Sequence, residues 1–164
     1  MTVLVAYATH SGATRTVAET LVETLRAEGL DPVLADVAED PDPAGHDAAI
    51  LGSAVRVESF EKSFVTWVSR HRARIDEVPV ALFSCSGSAA DPAKGGRQKA
   101  TDDFLERTGI APVAVKNFPG WVLMDRIPVH EQLLLKSMRT PTGDFRDLPA
   151  VAAWAREIAP GLSG

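Results

Sequence analysis

The sequence predicts a three-layer α/β sandwich: a five-stranded parallel sheet in the order 2-1-3-4-5, with helices on both faces. Three observations predict it. Short, nearly unbroken apolar runs such as Val3–Ala8 and PVALFS at 79–84 mark strands buried on both faces. Amphipathic helical patterns alternate with those runs, which is the signature of parallel pairing. The chain has 164 residues, 45% of them apolar and 24% charged, enough for a single domain over 1–164 with a real core.

Val3–Ala8 is the first strand. A helix follows over 13–28, where Val17, Leu21 and Leu25 recur every four residues beside Ala18 and Val22, and Gly29 stands as its stop. Pro32–Val37 reads as a weaker second strand and Asp47–Ser53 as the third. The connection over 39–46 is too short for a crossover helix, though DPDPAG has room for one helical turn. Phe60, Phe64, Trp67, Val68, His71 and Ile75 have helical spacing, so 60–75 is a helix. Pro79–Ser84 is the fourth strand, 97–107 a helix stopped by Gly109, and Val113–Val115, continuing toward Phe118, the fifth strand. A Leu-rich helix spans 129–139, with its apolar residues assigned mostly to core packing. A final helix spans 147–158, with Asp147 as N-cap and Pro149 in the first turn.

The formal net charge is −5 and the isoelectric point about 5.3. Such a surface disfavours nucleic acid as a partner, because nothing offsets the phosphate charge. A small-molecule substrate or a redox partner protein fits better. Cys85 is the single cysteine, which excludes an intramolecular disulfide and a cysteine-based zinc site and suits a reducing cytoplasm. The four histidines show no metal spacing. MTVLVAYATH has no basic n-region, and no stretch is long enough to span a membrane, so the expectation is a cytoplasmic chain. The apolar run at 133–138 leaves room for a homodimer face or a peripheral membrane or quinone contact.

In the 2-1-3-4-5 order, ligands bind beyond the carboxyl ends of strands one, three and four. Three small, hydroxyl-rich loops lie there: Thr9-His10-Ser11-Gly12-Ala13-Thr14, then Ser53-Ala54-Val55-Arg56, then Ser84-Cys85-Ser86-Gly87-Ser88-Ala89. The first opens a helix whose first-turn amides lack intrahelical partners and sit at the positive end of the dipole, where a phosphate binds readily. Gly12 lets the backbone approach closely or take positive φ. A bare N-cap by Ser11 or Thr14 is the bland alternative. The loop has neither G-x-G-x-x-G nor G-K-[ST], so it is neither a dinucleotide fingerprint nor a Walker loop.

The pattern Thr9-x-Ser11-Gly12-x-Thr14 resembles the flavodoxin phosphate loop, T-x-[ST]-G-x-T. Gly52-Ser53-Ala54-Val55-Arg56, and the closing DLPAVAAWAREIA, resemble the menaquinone-dependent protoporphyrinogen dehydrogenase branch of that fold family. The likeness is strongest over 3–75 and 145–159, and weaker over 86–130, where that branch is more basic. The resemblance implies FMN as cofactor, its phosphate at 9–14 and its ring between 53–56 and 84–89. It implies an FMN-dependent oxidoreductase that passes electrons from an organic substrate to a quinone or similar acceptor. The competing readings are a flavodoxin-type electron carrier and an interaction module without FMN.

Arg56 favours the enzyme, because a cation near the flavin stabilises the reduced anionic ring; a surface salt bridge with Glu58 or Glu61 is the alternative. Neither side loop carries the aromatic that flavodoxin carriers stack on the ring, leaving Phe60 or Trp121 as more distant candidates. Cys85 reads as a small buried residue, not a nucleophile. KGGRQK at 94–99 reads as a loop leading into a helix, or as a basic patch over the ring.

Overall fold

The computed structural model describes residues 1–139 and 141–164. Strands β1 (Thr2–Ala8), β2 (Asp31–Asp36) and β3 (Ala48–Arg56) alternate with helix α1 (Ala13–Ala27). A two-residue strand, β4 (Ser59–Phe60), folds back on the end of β3, pairing Val55 with Phe60. Helix α2 (Lys62–Ile75), β5 (Val80–Ser86), helix α3 (Lys99–Thr108) and β6 (Ala114–Pro119) follow. The main sheet runs β2-β1-β3-β5-β6 with all neighbours parallel, which is the expected order with β4 as an added hairpin.

The chain then makes an excursion that the simple alternation did not foresee. Strand β7 (Trp121–Val122), helix α4 (Val129–Ser137) and strand β8 (Gly143–Asp144) leave and rejoin the main body, with β7 and β8 paired antiparallel. Helix α5 (Leu148–Leu162) then returns to the sheet. Asp147 caps it, its carboxylate accepting from the Ala150 amide, and Pro149 lies in the first turn. Gly29 ends α1 at φ +86, its amide bonding to Arg26 O while Leu30 bonds to Leu25 O.

The sheet separates two apolar cores. One face packs Val3, Val5 and Phe83 against Val17, Leu21 and Leu25 of α1 and Trp154 and Ile158 of α5. The other packs Leu4, Leu51 and Leu82 against Phe64, Trp67 and Val68 of α2 and Phe104 of α3. Trp67 and Phe64 are fully buried, each worth roughly 1.5–3 kcal/mol of burial.

Several expectations change. The helical turn between β2 and β3 forms at Val37–Glu39, capped by Asp36, while DPDPAG holds only a simple turn at residues 44–45. Strand β3 runs on to Arg56 and β5 to Ser86, because each keeps a pairing partner to that point. Phe60 is a core residue packed on Phe64 and Phe104, so it is no flavin-stacking candidate. Helix α4 buries no residue, and Val129, Leu133, Leu134 and Met138 are exposed, so core packing does not explain its apolar run. Its apolar positions fall around the helix and not on one stripe.

Candidate functional site

At the carboxyl ends of β1, β3 and β5 the three small-residue loops come together. Gly12 sits at the N-terminus of α1 with φ +99, and no side chain caps that helix. The Gly12 amide donates to the Thr9 hydroxyl at 3.0 Å, and the first-turn amides that follow have no intrahelical acceptor. Neither Ser11 nor Thr14 caps the helix. An uncapped helix start with a tight turn before it is a donor set suited to a phosphate monoester.

The hydroxyls divide into two groups. Thr9 and Ser11 are partly exposed. Thr14 is buried, with its hydroxyl beside the Cys85 thiol. The Ser53 hydroxyl donates to Ala54 O and accepts from the Glu61 amide, securing the turn into β4. The Ser84 hydroxyl donates to Asn117, and the Ser86 hydroxyl accepts from the Ala89 amide and from Gln98. Of the β3 and β5 ends, Val55, Gly87, Ser88 and Ala89 keep some exposure, whereas Ala13 and Ala54 are buried.

Behind the β5 loop lies a polar scaffold with no local sequence signature. Gln98 is 2% exposed and its amide donates to both Ser86 and Ser88. Asn117 accepts from Ser84 and Thr101 and donates to Gly96 O. The KGGRQK stretch is thus anchored through Gln98, and Gln98 opens α3. A glutamine inside a basic, glycine-rich run gives no periodic cue, so only the fold reveals its role.

Burial pushes the Cys85 thiol up to about 12, against a smaller lowering by the Thr14 hydroxyl. The thiol therefore stays protonated at neutral and mildly alkaline pH. The native protein is expected to leave a chromogenic disulfide reagent unconsumed, and the unfolded chain to consume one equivalent. Fast native labelling would contradict the burial.

Arg56 does not pair with Glu58. Its Nε bonds to Glu61 at 3.0 Å and its Nη1 to Glu131 of α4 at 2.8 Å. The other Glu131 oxygen lies 2.7 Å from His10 Nε2, so that nitrogen carries the proton when the carboxylate is ionised. Burial alone would raise the Glu131 carboxyl, but the His10 hydrogen bond and the Arg56 charge hold it below the usual carboxylate range. One carboxylate thereby ties α4 to the β1 loop and to the end of β3.

The other end of the excursion is seated just as closely. A Cβ on Gly120 would lie 2.9 Å from Cys85 Sγ, and one on Gly87 would lie 2.5 Å from Val122 Cγ2. Trp121 Nε1 donates to Ser11 O at 3.0 Å. Trp121 therefore sits against the Thr9–Thr14 loop.

The comparisons with known proteins agree with this architecture. The chain is 25% identical to protoporphyrinogen IX dehydrogenase [quinone] of Escherichia coli strain K12, over 97% of this chain and 95% of that protein. It is 26% identical to the enzyme of the same name from Leishmania major, over 88% of this chain and 64% of that one. Among solved structures it is similar to oxidised flavodoxin 1 from Bacillus cereus, with a TM-score of 0.64 and 16% identity over 99% of each chain. The Flavodoxin domain profile matches residues 4–148, and the chain belongs to the flavodoxin family.

Proposed function

We propose that this protein is an FMN-dependent oxidoreductase acting on a protoporphyrinogen-like substrate with a quinone as acceptor. The observation that carries the reading is the excursion through β7, α4 and β8, latched to the β1 loop and the end of β3 through Glu131, His10 and Arg56 and seated on the β5 loop where Val122 meets Gly87. A carrier that only relays electrons has no need of such a wall over its cofactor. The 25% identity to a quinone-dependent enzyme along nearly the whole chain points the same way.

FMN supplies the redox chemistry when bound, taking an electron pair from the substrate and releasing it to the acceptor. The chain's own residues hold and shield it. The Thr9–Thr14 loop binds the phosphate, the ends of β3 and β5 flank the ring, and α4 limits water on the open side. Each electron pair and its protons leave the substrate and end on one quinone as quinol.

The test is to reconstitute the protein with FMN and supply protoporphyrinogen anaerobically with a quinone. Quinone-dependent formation of the coloured porphyrin supports the enzyme. Reduction only by a ferredoxin reductase, with no porphyrin formed, would replace it with the carrier.

Arg56 contributes a positive charge at the end of β3, with Glu61 and Glu131 beside it. Arg56→Ala is expected to leave both carboxylates and lower the bound flavin's potential. The shift is about 10–20 mV, the equivalent of roughly 0.5–1 kcal/mol at a half-exposed charge across a two-electron couple. An unchanged or higher potential would show that Arg56 only fastens α4.

A further inference from the structure

The phosphate loop carries no cation of its own facing its mouth, since Arg15 points away to pair with Glu19. The segment from β7 to the start of α5 brings two. The edge of the Trp121 indole rests on the loop: Nε1 reaches Ser11 O at 3.0 Å and Ser11 Oγ at 3.2 Å. Cζ2 stands 3.2 Å from the place a Cβ on Gly12 would take. Over this ring lie the guanidiniums of Arg146, at 4.3 Å from the centroid, and Arg126, at 4.7 Å.

The two arginines are not equivalent. Arg146 is matched by Asp144, with Nε to Oδ1 at 2.9 Å and Nη2 to Oδ2 at 2.8 Å. Its Nη1 donates to the Thr16 hydroxyl at 3.0 Å, in the first turns of α1. It fastens β8 to the helix that starts at the loop, and its charge is balanced. Arg126 is exposed and has no carboxylate within ion-pair distance among the described residues. Two like charges over one indole repel each other. The electron-rich ring face and the Asp144 carboxylate offset that repulsion, but one positive charge stays uncompensated. It stands one ring away from the positive end of α1.

We propose that Trp121, Arg146 and Arg126 form a clasp that selects phosphorylated over free flavin. Arg126 is the specificity-determining charge, Trp121 is the positioning residue whose ring seats it at the loop, and Arg146 pins this segment to α1. The proposal rests on the FMN reading above. A dianionic phosphate in the Thr9–Thr14 loop gains from the nearby cation, whereas riboflavin, with no phosphate, does not. The gain is electrostatic and partly exposed, so salt screens it.

The experiment compares FMN and riboflavin binding to the full chain and to Arg126→Gln by quenching of flavin fluorescence, at low salt and at about 0.5 M salt. Arg126→Gln is expected to weaken FMN about three- to fivefold at low salt, with little loss at high salt and riboflavin unaffected. Arg126→Lys should retain most of the FMN affinity. Equal FMN affinity in wild type and Arg126→Gln, or equal losses for both flavins, would overturn the clasp and leave the FMN reading standing. A wild-type chain that binds neither flavin would remove the FMN reading and the clasp together.

Discussion

Gly52→Ala is expected to be among the most damaging single-methyl changes in this protein. Gly52 lies in β3 directly opposite Phe83 of β5, and the Phe83 ring is laid across it. A Cβ at position 52 would stand 2.0 Å from Phe83 Cζ and 2.1 Å from Cε1. Those atoms belong to a ring that is 0% exposed and packs on Phe118 at a centroid distance of 6.3 Å. The ring has nowhere to move without displacing a second aromatic. Overpacking of this kind costs about 3 kcal/mol, from a total stability of roughly 5–15 kcal/mol. Phe83→Ala removes the obstacle but opens a cavity, at about 3–5 kcal/mol. The two sites touch, so their effects are not additive. Gly52→Ala with Phe83→Leu should regain part of what Gly52→Ala loses alone. Urea midpoints of the single and double variants read this out; a Gly52→Ala midpoint equal to wild type would disprove the packing.

Strand and helix existence was legible because burial on two faces leaves unbroken apolar runs, and α1 and α2 keep one apolar stripe. Element ends were less legible. The apolar run of β3 ends near Ser53 in the sequence, but a hairpin partner carries pairing to Arg56. That hairpin turns through Val57 and Glu58, both at positive φ, without the Gly or Asn that usually announces such a turn. The Thr9–Thr14 loop stood out as a candidate phosphate site because its chemistry is local: a strand end, a glycine and hydroxyls within six residues. The rest of the site is held by pairs far apart in sequence, such as His10 with Glu131 and Gln98 with Ser86. No periodicity encodes them. Helix α4 misled for a physical reason: its leucines resemble core, but the helix rides on the excursion and its fixed contacts are polar.

Gly12→Val is expected to yield a folded protein that no longer holds FMN. Gly12 has φ +99, where an L-residue costs about 1–2 kcal/mol and a β-branched one more. The new side chain also meets the Trp121 ring at 3.2 Å. The loop can relieve both by rotating out of the left-handed region, which turns the amides of residues 13 and 14 away from the phosphate position. Two charge-assisted hydrogen bonds lost at about 1.5–3 kcal/mol each correspond to about 100-fold or more in affinity. Gly29→Ala separates this from a general loss of stability. Gly29 has a similar φ of +86, with nothing within 4 Å of the place a Cβ would take, and it ends α1 at the opposite pole from the loop. Backbone strain should lower the unfolding midpoint in both variants, while only Gly12→Val weakens FMN in a fluorescence titration. Wild-type affinity in Gly12→Val would move the phosphate away from this loop, and equal losses in the two variants would make the effect one of stability and not of the site.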